Sequence, residues 1–432
     1  MFWYPILFLL HVVFAKVTAE RPFTSGEEQK KPKQWALLAA GSNGYDNYRH
    51  QADVCHAYQV LRKHGIPEER IVVMMYDDIA NNSENPTKGE IVNRPNGTDV
   101  YKGVPKDYTG DAVTPHNFLS ILQGRRPENG SGKIIESGPD DYVFVYFSDH
   151  GAPGMLIFPD SHLHARRLVD VITKMHIERK YGKMILFIEA CFSGSMFETL
   201  LPNNISAYAM TAAHAHELSY ACYYDKFRST WLGDRFSVYW MEDADQQDLR
   251  SQTLHELYLV VRNKTTTSHV MHYGDMETEK LHLSKFMGGT YVPPVKLSNI
   301  SCDEATSAEA PITVLEHKIK MAKNDTVKDA HKKQIEVLLE KRKNFTIVLE
   351  EIVRKLGANS SIITSKPARI DFPCYETAVD MFSEKCFKLS SNPYASLFLY
   401  SFVGLCNANN TAEKIGNAID SVCAHLDLND VV

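Results

Sequence analysis

At 432 residues the chain has room for two or three domains and is too long to be a disulfide-stapled miniprotein. Its hydrophobic content of 44%, charged content of 23% and aromatic content of 10% are ordinary globular values and exclude wholesale disorder or a fibre. Lys and Arg number 47 against 53 Asp and Glu, a formal charge of -6, so no basic face for nucleic-acid phosphates is expected.

The N-terminus opens on an apolar run, Phe2 to Ala15, broken only by His11. Small residues at Val17 and Ala19 suit a signal-peptidase cut after Ala19, although the usual basic start is missing. The run is shorter than the roughly 20 apolar residues that span a bilayer, and no later stretch qualifies, so no membrane anchor is expected. Sequons begin at Asn81, Asn96, Asn129, Asn204, Asn263, Asn299, Asn324, Asn344, Asn359 and Asn409, which fits a glycoprotein of the secretory pathway.

From Trp35 to about Met287, short β-rich runs alternate with helical stretches, the signature of a parallel sheet covered on both faces. The predicted strands are Trp35 to Ala40, Ile71 to Met75, Tyr142 to Phe147, Met184 to Ile188 and Ile205 to Met210, apolar throughout as expected for strands buried on both faces. Predicted helices cover Ala52 to His64, stopped by Gly65 and Pro67, then Thr114-Pro115 to Gly124, and Leu163 to Lys180. A linker rich in Gly and Pro runs from Gly288 to Pro311. Beyond it, Ile312, Leu315, Ile319 and Ala322 recur at helical spacing, and Ile335, Leu338, Leu339, Phe345, Ile352 and Leu356 trace a second stripe.

Of eight cysteines, Cys374, Cys386, Cys406 and Cys423 crowd into the last fifth and read as two disulfides, with three pairings possible. Cys55, Cys191, Cys222 and Cys302 are scattered, and Cys55 and Cys222 read as packed thiols. His162 with His164, and His214 with His216, have metal-like spacing but no third ligand in the local sequence; the first pair is expected at a helix start, and no metal or other cofactor is expected.

Reactive groups in an open α/β sheet belong at the carboxyl ends of strands. One such end carries Ser148-Asp149-His150-Gly151 and another Glu189-Ala190-Cys191-Phe192-Ser193-Gly194, joined by one helix that can set the two strands side by side. A thiol and an imidazole on that rim form a nucleophile and a base for attack on an amide. The backbone N–H groups of Gly151 and Cys191 could hold the oxyanion. The bland alternative is a core cysteine near an ordinary histidine.

These two segments, together with Ala40 to Asp53 (AGSNGYDNYRHQAD), Met74 to Asp78, Gly103 to Tyr108, Tyr220 to Tyr224, Trp240 to Asp243 and the cysteine-paired tail, resemble the legumain family of asparaginyl endopeptidases, cysteine peptidases of the caspase-like clan. The resemblance implies an α/β fold with a caspase-like, mostly parallel sheet flanked by helices, followed by an all-α C-terminal prodomain. The implied boundaries are a signal peptide at 1–19, an N-terminal propeptide at 20–34, the peptidase domain at 35–287, a linker and activation peptide at 288–324, and a disulfide-bonded prodomain at 325–432.

The resemblance implies Cys191 as nucleophile, His150 as base and Asn47 as third member of the site, with an S1 pocket of Arg49, His50, Glu189, Ser219 and Asp234. It further implies a succinimide at Asp149, activation cleavage after Asn324, and the pairs Cys374–Cys406 and Cys386–Cys423. Implied partners are protein and peptide substrates, cystatin-type inhibitors and the chain's own prodomain, in an acidic endosome or lysosome or a gut lumen. The implied activity is hydrolysis after Asn, and after Asp in acid, by an acid-activated zymogen. Ligation near neutral pH is one alternative. A catalytically impaired inhibitor-binding scaffold is another, prompted by Phe192 and Leu218, where the family usually has Glu and Ser.

Overall fold

The computed structural model describes residues 1, 31–298 and 300–424, so the expected signal segment, apart from Met1, and most of the expected N-terminal propeptide lie outside the described residues. Lys33 onward forms one compact unit. In chain order, β1 (Gln34–Ala40) passes through a 3₁₀ turn (Tyr45–Asn47) into α1 (Tyr48–Lys63), then β2 (Ile71–Met74), α2 (Pro115–Leu122) and β3 (Tyr142–Ser148). Three short strands follow, β4 (Gly151–Ala152), β5 (Met155–Ile157) and β6 (His162–His164), then α3 (Ala165–Ile177), β7 (Lys183–Glu189) and β8 (Ala207–Thr211). The hairpin of β9 (Tyr220–Asp225) and β10 (Thr230–Asp234) leads into α4 (Arg235–Gln246), α5 (Leu254–Lys264), β11 (Met271–Gly274) and α6 (Ser284–Met287). Past the linker come β12 (Glu304–Thr306), α7 (Ala310–Met321), α8 (Asp325–Lys355), α9 (Phe372–Lys385), α10 (Tyr400–Asn407) and α11 (Ala412–Cys423).

The central sheet has the order β11-β8-β7-β3-β1-β2. Every pairing is parallel except that of the edge strand β11, which runs antiparallel to β8 and was not among the predicted strands. One apolar cluster packs Leu38, Phe144 and Phe187 against α1 and α4, and a second packs Leu37, Val145 and Leu186 against α2 and α3. This two-sided burial explains why the strands read as unbroken apolar runs.

Three expectations are corrected. Leu163 lies in β6, so the helix predicted from it starts at Ala165 and ends at Ile177; His164 is indeed the residue capping that start. Helix α1 begins at Tyr48, four residues before the predicted Ala52, because 13 of its 16 residues are buried and polar side chains such as Arg49, His50 and Asp53 point into the interior. Cys222 is no packed thiol: it is bonded to Cys302, a pairing across 80 residues that anchors the linker beside β9. The tail is bridged Cys374–Cys406 and Cys386–Cys423, and Cys55 and Cys191 are free and buried.

Candidate active site

The parallel register pairs Ser148 of β3 with Glu189 of β7, and the Asp149 N–H donates to the Glu189 carbonyl at 3.1 Å. His150 and Cys191, each two residues beyond that pair, therefore leave the sheet at the same level on neighbouring strands. Gly151 is required by this closeness: a Cβ there would lie 2.3 Å from the Cys191 carbonyl oxygen and 2.9 Å from the Ala190 Cβ.

The imidazole is held in one orientation. Asn47 donates its Nδ2–H to the Asn43 carbonyl at 2.9 Å, which turns its Oδ1 toward His150 Nε2, also at 2.9 Å. An acceptor there selects the tautomer with the proton on Nε2 and leaves the lone pair on Nδ1, which is buried and has no hydrogen-bond partner. Cys191 Sγ accepts the Ser219 N–H at 3.3 Å and lies 3.6 Å from the Ser219 hydroxyl. Both groups are sealed from water, at 3% and 4% exposure for Cys191 and His150. Burial pushes the thiol up, partly offset by Ser219, and burial followed by the Arg49 charge pushes the His150 imidazole well below its ordinary value. In this covered state burial favours the uncharged form of both groups.

Beside them lies a buried, charged floor. Arg49 donates from Nε to Asp234 Oδ1 at 2.9 Å, and His50 Nδ1 lies 2.6 Å from the Ser42 hydroxyl and 3.2 Å from Asp149. Glu189 Oε2 accepts the Ser237 N–H and hydroxyl at 3.0 and 2.9 Å. Five polar atoms in this group have no hydrogen-bond partner: Arg49 Nη2, Glu189 Oε1, both oxygens of Asp149, and Asp234 Oδ2, which lies 3.5 Å from His50 Nε2. Asp53, absent from the predicted site, belongs here: it accepts from Asn93 at 2.7 Å and Ser148 at 3.2 Å and faces the Asp234 N–H at 3.3 Å. Ser237 was missed as well. Neither shows a sequence signal beyond Asp53 sitting at the end of the AGSNGYDNYRHQAD segment.

Burial raises the carboxyls of Asp53, Asp149 and Glu189 well above their ordinary values and also raises Asp234, where Arg49 opposes the shift. A carboxyl raised on folding holds its proton more tightly folded than unfolded. Its stabilisation is complete below the unfolded value of about 4.3 for Glu and is lost as pH rises through the folded value. His50 and His150, pushed down by burial, act in the opposite sense below about 6.5. A Glu189→Gln comparison isolates the carboxyl. In a Cys191→Ala background, the melting-temperature advantage of the chain that keeps Glu189 over the Glu189→Gln variant is expected to be larger at pH 5 than at pH 7.5, read by calorimetry.

The C-terminal helices close over this site. Cys191 and Phe192 belong to the same apolar cluster as Phe345, Tyr375, Phe382 and Tyr400. Tyr375 donates to the Pro153 carbonyl and Tyr400 to the Ala215 carbonyl, each at 2.7 Å, and Lys366 reaches the His216 carbonyl at 2.8 Å. Phe192, with φ of 56° and 1% exposure, sets its ring edge-on to Tyr400, and Leu218 packs on the same cluster. Phe192 and Leu218 therefore face the helical cover, and the hydrogen bonds of Cys191, both to Ser219, do not involve them. The linker also participates: β12 pairs antiparallel with β9, and the Ser307 N–H donates to the Ser219 carbonyl at 3.2 Å. A cavity of about 330 Å³ persists between Asn47 and the cover, lined in part by Asn43, Ala308, Arg342 and Tyr394. No local pattern in the chain points to Ser307 or Arg342.

Asn324 is exposed at the junction of α7 and α8, capping α8 by accepting the Thr326 N–H at 2.8 Å. His162 and His164 meet the third group that the local sequence lacked, Asp380 of α9. Among the described residues no helix is long and apolar enough to cross a membrane.

The family model described as Peptidase C13 family matches residues 34–289, and the model described as Legumain, prodomain matches residues 321–423. Legumain of Rattus norvegicus is 46% identical over 403 residues, covering 90% of this chain and 92% of that one. Legumain of Homo sapiens is 45% identical over 404 residues, covering 90% and 93%. The vacuolar-processing enzyme delta-isozyme of Arabidopsis thaliana is 37% identical over 435 residues, covering 93% and 92%.

Proposed function

The chain belongs to the peptidase C13 family, as a legumain-type cysteine peptidase with its own prodomain, and on that premise we propose that it hydrolyses peptide bonds after Asn with Cys191 as nucleophile and His150 as base. His150 Nδ1 accepts the thiol proton, the thiolate attacks the scissile carbonyl carbon, and the N–H groups of Gly151 and Cys191 hold the oxyanion. The proton then passes from Nδ1 to the leaving amine. Water, with His150 again as base, hydrolyses the thioester. Asn47 keeps the ring in the tautomer that makes Nδ1 the base.

The observation that carries the specificity is the set of unpartnered atoms on the pocket floor. Arg49 Nη2 offers a donor to a carboxamide oxygen, and Glu189 Oε1 and Asp234 Oδ2 offer acceptors to its NH₂. A proton held by one of the two carboxyls still leaves the other as acceptor. A buried polar group left unpaired costs about 1–3 kcal/mol, so a substrate that satisfies all of them is selected over one that does not. His50 and Ser219 complete the wall of the pocket.

A substrate Asp sets carboxylate against carboxylate until it is protonated, when it becomes an isostere of Asn. Above an Asp pKa of about 3.9 its neutral fraction changes about tenfold per pH unit. Lowering the pH from 7 to 5 is therefore expected to raise kcat/KM for an Asp peptide about 100-fold relative to the matched Asn peptide, measured in parallel on the processed enzyme. A constant ratio would remove the pocket assignment.

The zymogen reading is supported by the burial of Cys191 under the C-terminal helices. We place its release in an acidic compartment; pairs across the cover such as Lys388 with Asp160, and Lys318 with Glu84 at 3.2 Å, are among the contacts that release must break. Acid incubation of the proform, followed by fragment masses, is expected to show cleavage after Asn324. Thr326→Ala, which removes the sequon glycan that would shield that bond, should speed it and Asn324→Gln should abolish it. Asp149 is suited to succinimide formation because burial raises its carboxyl well above the ordinary value and the next backbone nitrogen, that of His150, is in place to attack it. Attack of that nitrogen on the carboxyl carbon, with loss of one water, closes the ring.

A further inference from the structure

His162 and His164 stand two apart on β6, so both imidazoles project from the same face of the strand. Their rings meet edge-on, 4.8 Å between centroids, and both Nε2 atoms reach one oxygen of Asp380, at 2.7 and 2.8 Å. Glu376 lies one helical turn before Asp380 on α9, and its Oε1 is buried without a hydrogen-bond partner. Arg166 of α3 approaches Glu376 Oε2 only at 3.5 Å. Two nitrogens and one carboxylate thus converge across the boundary between the peptidase domain and the prodomain.

We propose that His162, His164 and Asp380, with water in the fourth position, form a divalent transition-metal site of zinc type that staples the prodomain to the peptidase domain. Imidazole nitrogen with carboxylate oxygen suits Zn²⁺, whereas Ca²⁺ and Mg²⁺ take oxygen alone. Zinc bonds of about 2.0–2.2 Å in a tetrahedron set neighbouring ligand atoms roughly 3.3 Å apart. The nitrogens and oxygen therefore need to open by about half an ångström. Asp380 can move that far because its side chain is 55% exposed, and the same exposure gives an ion its way in. The two imidazoles are held at 11% exposure, so two of the three protein ligands are already oriented. The staple would fasten α9 to the small sheet that begins at Gly151, adding a metal cross-link to a cover otherwise held by apolar packing, hydrogen bonds and ion pairs.

The test is direct binding, in a full-length Cys191→Ser proform so that the thiol neither ligates metal nor cleaves the chain. Equilibrium dialysis against Zn²⁺ is expected to show one ion fewer per chain in His162→Asn and in Asp380→Asn than in the parent. His269→Asn, which disrupts the separate cluster of His214, Glu217 and His269, should bind as the parent does. Amide exchange across α9 should slow at least tenfold on adding Zn²⁺ to the parent and not change in the two variants. Each variant is checked by its metal-free melting curve, which should match the parent. Equal zinc content in parent and His162→Asn would overturn the site, and zinc that binds there without slowing exchange in α9 would overturn the staple. Neither readout depends on peptidase activity, so failure here is distinct from failure of the proposed function.

Discussion

Cys191→Ala is expected to lower kcat/KM for an Asn peptide by at least about 10⁴-fold after the prodomain has been removed, because no other group on the rim can form the thioester. The fold should hardly register the change. Cys191 Sγ accepts a single backbone N–H, from Ser219, and losing a bond of that kind costs about 1 kcal/mol. The variant should therefore remain a folded, latent proform with a melting curve close to that of the parent. His150→Ala should show a comparable loss of rate. Asn47→Ala should show a smaller one with an altered pH profile, since it removes the group that fixes the tautomer and leaves the base in place. A peptide turnover assay on acid-processed protein, with the melting curve of the proform beside it, checks all three.

Phe345→Ala is expected to cost the prodomain about 3–5 kcal/mol, the range for removing a fully buried aromatic ring. Phe345 has no exposed surface and packs against Phe382, Phe387, Tyr394 and Phe398 at centroid distances of 5.0 to 5.9 Å for three of them and 6.3 Å for Tyr394. It sits where α8 joins the cluster that also holds Cys191 and Phe192. Loosening it should uncover the nucleophile without cutting the chain. The measurable result is turnover of Asn peptide by the uncleaved variant, and labelling of Cys191 by a thiol reagent under conditions where the parent proform is inert. A destabilised proform that stays inert would separate the prodomain's core from its role as the cover.

The strands that carry the chemistry were legible because burial on both faces leaves them uniformly apolar, and their ends were legible because polar segments interrupt those runs abruptly. The start of α1 was not, since a helix enclosed on nearly every side has no polar stripe to set its phase, and Arg49 and His50 look like surface residues until the pocket is seen. Helix α8 was traced mainly through its second half. Its first half, from Asp325, is largely exposed and includes Val337 and Leu339 at the surface, so its periodicity has no buried face to report. The Cys222–Cys302 bond, the addition of β12 to β9, and the meeting of His162 and His164 with Asp380 join positions 80 or more residues apart, and no local pattern encodes such pairings. That His150 and Cys191 share one rim was legible from the strand ends alone. The proposed pocket floor came from the family resemblance, and Asp53 and Ser237 join it only through the packing.

The central claim is that Cys191, paired with His150, attacks substrates chosen by a carboxamide-reading pocket. It is tested most directly by treating the acid-processed protein with an Asn-peptidyl electrophile and locating the adduct by mass spectrometry of peptides. The account predicts one adduct per chain on Cys191, slowed at least tenfold when Asn in the probe is replaced by Gln and absent in Cys191→Ala. An adduct on another residue, or equal labelling by the Asn and Gln probes, would contradict it.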